Sequence, residues 1–173
     1  MATFTERAVD AVHAMLTDGS NGLNAATLPA LRTALGISTG DLPNIATFEK
    51  WYHRAEQANS FPYLSIVVNS TTGELEPNSR FYRVTFDLAL VVLDSNIDGN
   101  EKDVLVAGWR YGDALKTLFQ RRVGAGGQGW TLGNASGIIR SEITSQQVGA
   151  DPGLSVPNVA LLTTLEVVTS ESY

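Results

Sequence analysis

The feature that most constrains this chain is the run from Phe81 to Leu93, in which Tyr82, Val84, Phe86, Leu88, Leu90 and Val92 alternate with Arg83, Thr85 and Asp87. Successive side chains of a strand point to opposite faces, so strict alternation marks a strand with one buried face. The run outlasts the common strand length of ~5–6 residues, and part of it is expected to project beyond the sheet. Its second face turns apolar only at Ala89, Val91 and Leu93. The far half is therefore expected to be covered on both sides, with one side of the near half wet. A chain with such a strand must also supply neighbouring strands and a helical layer to cover them.

Both are present. After Pro62 the residues Leu64, Ile66 and Val68 share one face, and a polar stretch from Asn69 to Ser79 reads as the loop that follows. Further strands are expected from Trp130, over Ile138 to Ile143, and over Asn158 to Val168, where Val159, Leu161, Thr163, Leu165 and Val167 alternate. At the start, Thr3 and Glu6 have the spacing of a capping box ahead of an apolar stripe of Phe4, Ala8, Val9, Val12, Met15 and Leu16. That helix is expected to stop at Asp18 and Gly19 by a left-handed glycine. A short helix from Thr27 to Leu35 is closed by Gly36, and Ile45, Phe48, Trp51 or Tyr52, and Ala55 recur at helical spacing up to Phe61 and Pro62.

A central helix is expected to start with Asn100 as its cap and Glu101 and Asp103 at its positive end. It carries Leu105, Trp109, Leu115, Leu118 and Phe119 inward, and Arg121 and Arg122 suit its negative end. Gly108 and Gly112 would let it approach the sheet closely. Strands and helices segregate along the chain, which predicts an α+β fold. The expected architecture is a mainly antiparallel sheet of four or five strands, packed by an N-terminal helix and a central helix. The chain reads as one domain over residues 1–173, with residues 21–58 as a helical insertion after the first helix.

Composition narrows the chemistry. There is no Cys, so disulfides, thiolate nucleophiles and zinc–thiolate sites drop out, and an intracellular or assembled-particle setting fits best. The first residues form neither a charged leader nor a long apolar segment, so no secretion signal is expected. The apolar run from Leu88 to Leu93 is far short of the ~20 residues of a membrane helix, and no membrane span is expected. The net charge of −6 sets the surface against phosphate, which argues against sequence-reading nucleic-acid binding.

Candidate motifs each meet a plainer reading. The run from Gly124 to Gly129 matches G-x-G-x-x-G, but it follows a helix and enters a strand, the reverse of a dinucleotide site, so it reads as a connecting loop. Asp94, Asn96 and Asp98 are the candidate metal ligands, because their alternation before Gly99 resembles the first half of a calcium loop. The second half departs from it, with Lys102 at the ninth position and Leu105 at the twelfth, and a strand-to-helix turn is the simpler account. His13 and His53 fall in different expected helices with no ligand-spaced carboxylate. Ser136 is one place out of register for a nucleophile elbow. No catalytic residue and no cofactor site is assigned, and the chain is expected not to be an enzyme.

In the order of its elements the chain resembles the tail terminator and tail-completion proteins of tailed bacteriophages. The resemblance runs from Phe61, Pro62 and Tyr63 to Val168. It rests on a leading helix, the strand Tyr63 to Val68, a polar loop, the long strand Phe81 to Leu93, an acidic turn, the helix containing Gly112 to Phe119, and closing strands. It implies a ring subunit, hexameric in that family, at the neck of the virion and assembled in the host cytoplasm. Its partners would be the tail tube protein and a head–tail connector protein, with double-stranded DNA passing through the lumen without sequence-specific binding. The residues 21–58 depart from the compact pattern. Candidate assembly contacts are Glu74, Glu76 and Arg80 in one loop and Asp94, Asp98 and Asp103 in the other. Two alternatives stand beside this one. The first is a head–tail connector subunit of the stopper or adaptor kind. The second is a non-viral monomeric or dimeric α+β module that holds a ligand against the sheet, with calcium at the Asp94 turn.

Overall fold

A computed structural model of the chain describes residues 4–51, 55–76, 79–98, 101–119 and 136–172. The expected cap Thr3, the helical-spacing residue Tyr52, His53, the cap Asn100, Arg121, Arg122, the glycine run from Gly124 and the strand start at Trp130 lie outside these residues.

Helix α1 spans Phe4–Thr17 and buries Ala8, Val9, Val12 and Leu16 along the stripe read from the sequence. It ends by a different device from the one expected. The Asp18 carboxylate accepts the backbone N–H groups of Ser20 (2.8 Å) and Asn21 (2.5 Å), and Gly22 N–H returns to Asp18 O (3.0 Å). These two backbone donors hold the Asp18 carboxyl below its ordinary pKa. The left-handed glycine occurs later. Helix α2, Leu28–Leu35, follows one π-helical turn over Leu23–Thr27 and stops at Gly36, whose φ of 64° suits a residue without Cβ.

The segment read as a third helix after Ile45 is instead strand β1, Thr47–Lys50, and a single 3₁₀ turn at Ala55–Gln57. β1 pairs in parallel with the start of β2, Tyr63–Glu76, from Thr47 opposite Tyr63 to Lys50 opposite Ile66. Trp51 leaves the strand at φ 69°, a left-handed conformation that a right-handed helix excludes. The stretch after Gly19 contributes to the core. Leu23, Leu28, Leu42 and Ile45 are buried in the same cluster as the sheet residues.

β2 and β3, Ser79–Leu93, form a long hairpin, and β4, Ser136–Gly149, and β5, Asn158–Ser172, form the other half of the sheet. The strand order is β1-β2-β3-β5-β4, antiparallel at every pair except β1 with β2. The polar stretch from Asn69 is not a loop, for β2 continues through an irregularity between Val68 and Ser70 and pairs as far as Glu76 opposite Ser79. Nor does β3 run out of the sheet alone. Ser79 opposes both Glu76 and Ser172, so its neighbours extend as far. What outreaches the helical layer is the sheet itself. Its four long strands run on the order of 45–50 Å at ~3.3 Å per residue, against ~28 Å for the longest helix among the described residues at 1.5 Å per residue.

That helix is α3, Glu101–Phe119. Val104, Ala107, Tyr111, Ala114, Leu115, Leu118 and Phe119 pack inward against Val84, Phe86, Leu88, Leu90, Val92, Val159, Leu161 and Leu165. A Cβ on Gly108 would stand 2.8 Å from Val159 Cγ1 and 3.3 Å from Val148 Cγ1, which is why the helix lies so close to β4 and β5. Gln146 completes that contact, donating from Nε2 to Gly112 O at 2.9 Å.

The opposite sheet face has the two environments expected of it. Tyr63 (1% exposed), Ser65 (2%) and Val91 (4%) are buried there, whereas Arg83 is exposed. Part of the cover is Phe61, whose ring stands 6.3 Å from that of Tyr63; the segment 150–157 is tied down by Asn158, which accepts Asp151 N–H (2.7 Å) and donates to Val156 O (2.9 Å). The uncovered half carries a polar ladder across all four long strands. Asn69 and Thr164 donate to the two oxygens of Asp87 (3.0 and 3.1 Å), and Ser145 donates to Thr164 Oγ1 (3.0 Å).

Candidate interaction surface

Helix α3 is apolar on two sides. Besides its buried stripe, Leu105 (51% exposed), Val106 (42%) and Trp109 (54%) face outward, although Leu105 and Trp109 were expected to point inward. The inward positions next to them belong to Val104, Ala107 and Gly108, where small residues admit the sheet and a tryptophan has no room. Residues 105 and 109 lie one turn apart and 106 beside them, so the three form one patch. Further along, the outer face turns polar at Asp113, Lys116 and Thr117.

The patch continues into a cleft of about 530 Å³ between the start of α3 and the segment 150–157, with Leu105, Leu154, Val156 and Pro157 among its walls. Val156 is 47% exposed at its rim. Asp94 also lines it. Its backbone N–H donates to Pro157 O (3.0 Å) and its O accepts from Ile97 N–H (3.0 Å), but its buried Oδ1 has no hydrogen-bond partner.

Asn96 uses its side chain as a brace, Oδ1 accepting Leu93 N–H (3.0 Å) and Nδ2 donating to Phe61 O (3.3 Å). The Asp98 carboxylate is turned over Gly40, and Asp98 N–H donates to Gly40 O (3.1 Å). Among the described residues, no group of three or more His, Asp or Glu side chains is placed to hold a metal ion. His13 is half-buried on α1. Loss of solvent, and then the nearby Lys50, push its pKa below the ordinary value.

The candidate contact residues fall at two ends of the molecule. Glu74, Glu76 and Arg80 are placed by their backbone near the β2–β3 tip, with Glu74 opposite Phe81 and Leu75 opposite Arg80. Asp94 and Asp98 lie past the other end of β3, and Asp103 in the first turn of α3. The length of β3 separates the two groups by roughly 45 Å. Sequence reasoning missed Val106, Val156 and the outward placement of Leu105 and Trp109. The available signal was that α3 carries more apolar residues than one face can hold.

Below this surface a buried polar tie fixes the segment 36–46 against α3. Arg32 (9% exposed) donates from Nε to Leu42 O (2.7 Å) and from Nη2 to Asn44 Oδ1 (2.6 Å), while Tyr111 Oη donates to Pro43 O (2.6 Å). Burial raises the Tyr111 pKa above the usual phenol range, with the Arg32 charge acting weakly the other way. Compared with protein-family models and with curated proteins, the sequence matches none.

Proposed function

We propose that this chain is a structural subunit of the head–tail joint of a tailed bacteriophage, a tail terminator or tail-completion protein. It assembles as a ring, caps the tail tube and leaves a passage for DNA. The observation that carries this reading is the outer face of α3, where Leu105, Val106 and Trp109 stand in water and run into an apolar cleft. A contiguous apolar patch rimmed by polar residues is a surface made to be covered by protein. The two-ended distribution of the candidate contacts supports it, since a joint subunit meets one partner at each end. The net charge of −6 supports it too, because an acidic ring repels the phosphates passing through it.

The test is electron microscopy of tail tubes incubated with the protein. The reading predicts added density at one tube end, lost in the double variant L105K/W109K. Binding to the head-side connector with none to tubes would move the protein to the stopper or adaptor class.

A second reading is favoured by the cleft itself, whose apolar walls and Asp94 carboxylate would suit a small ligand with a donor group. A ligand-binding module predicts a monomer or dimer whose melting temperature rises with its ligand, or with Ca²⁺ if the Asp94 turn takes the ion.

A further inference from the structure

Among the described residues, both margins of the sheet lack a neighbouring strand over a long stretch, although Thr5 of α1 reaches Thr71 through its hydroxyl (3.5 Å). β4 is one margin along its whole length. At the other, β1 covers β2 only from Tyr63 to Ile66, leaving the stretch from Val67 to Glu76 without a strand beside it. Unpaired backbone donors and acceptors are a template for another strand, and proteins usually blunt such edges with Lys, Pro or a short strand. Neither stretch contains Lys or Pro, and neither is short. The irregularities in β4 near Ile138 and Ile143 bend it without shortening it.

We infer that the β4 edge of one copy pairs with the Val67–Glu76 edge of β2 in the next copy, so that one sheet runs from subunit to subunit. The directions of the strands favour this pairing. β2, β3, β5 and β4 alternate in direction, so the two margins are themselves antiparallel. A copy related by rotation about an axis along the strands sets β4 antiparallel to the neighbouring β2, the arrangement already used between every pair of long strands. The contact is head-to-tail, which generates a ring when the rotation closes. It also covers both open margins with one kind of contact, whereas β4 meeting β4 across a two-fold axis would leave β2 open. β1 occupies the start of β2, so the incoming strand pairs beyond Ile66 through the part of β4 at the same height, Ser136 to Ser145 beside Val67 to Leu75.

This inference rests on the ring reading for its purpose but is tested without a tail tube. The chain lacks Cys, so introduced thiols report without background. Ser70 and Glu142 are exposed, one on each margin, and stand at one height in the sheet, since Ser70 opposes Thr85, Thr85 opposes Glu166 and Glu166 opposes Glu142. The variant S70C/E142C, oxidised at high concentration, is expected to give a ladder of covalent oligomers on a non-reducing gel. A single variant, S70C or E142C, is expected to stay monomeric, and an equimolar mixture of the two to give dimers only. Dimers from E142C alone would overturn the inference in favour of β4 meeting β4. Absence of a ladder across a scan of neighbouring pairs, with circular dichroism and melting unchanged, would also overturn it. A ladder without tube binding would leave the seam standing and sink the proposed neck role.

Discussion

At the scale of single residues, the structure depends on a few polar groups placed where the sequence has no motif. Arg32 is a buried guanidinium whose hydrogen bonds go to Leu42 O and Asn44 Oδ1, and Tyr111 reaches Pro43 O from the facing helix. Replacing Tyr111 by Phe keeps the packing and removes one bond, so denaturant unfolding should show a loss of about 1 kcal/mol. Arg32→Ala leaves the buried Leu42 O unmet, while water can serve the exposed Asn44, and should cost more, about 2–3 kcal/mol. Lys at this position is not a rescue, because it lacks the planar fork that serves two acceptors. The tyrosine also gives a pH signature. Its pKa is raised in the folded state, so above the ordinary phenol value of ~10 the unfolded chain loses a proton that the folded chain keeps. Stability is therefore fully present below that pH and falls as pH rises beyond it. Unfolding midpoints measured from pH 8 to 11 should drop less steeply in Y111F than in the parent.

At the scale of elements, what could be read in the sequence depended on whether a segment's partners were local. The alternation in β3 and β5 and the stripe of α1 were legible because each has one wet side and one dry side, and the fold class followed from them. β1 was not, because a four-residue strand holding one apolar side chain, Phe48, pairs in parallel with a segment beyond an intervening turn. The outer half of β2 was missed for the opposite reason. With Leu75 the one large apolar side chain from Asn69 to Glu76 it has no hydrophobic period, and its pairing with β3 makes it a strand. In α3 the ambiguity was one of excess, since Leu105 and Trp109 compete with Val104, Ala107 and Tyr111 for the same inward arc. Gly108 settles which side meets the sheet. A Gly108→Ala variant forces Val159 and Val148 to shift, and overpacking of ~1–3 kcal/mol exceeds the ~1 kcal/mol gained in helix propensity. Its melting temperature should fall. L105K/W109K, by contrast, changes exposed positions and should leave stability within ~0.5 kcal/mol while raising solubility, as thermal unfolding and a precipitation assay would show.

At the scale of the whole molecule, three features point outward: an apolar helix face, two open sheet margins, and polar contact groups at ends roughly 45 Å apart. With the strands taken as the direction of a ring axis, they sort themselves. On the proposed ring the margins would face neighbouring copies and the two ends whatever lies above and below, and the start of α3 with its cleft, which Asp94 lines, would belong to one of those ends. Most of this could not be read from the sequence, because an open margin is a property of strand order and an exposed tryptophan a property of packing. Under the proposed function, this surface meets copies of the chain and its neighbours in a particle. Sedimentation velocity over a rising concentration series decides whether copies meet. A discrete closed oligomer several times the 18.5 kDa subunit mass is expected, and a single species at the subunit mass throughout the series would rule the ring out.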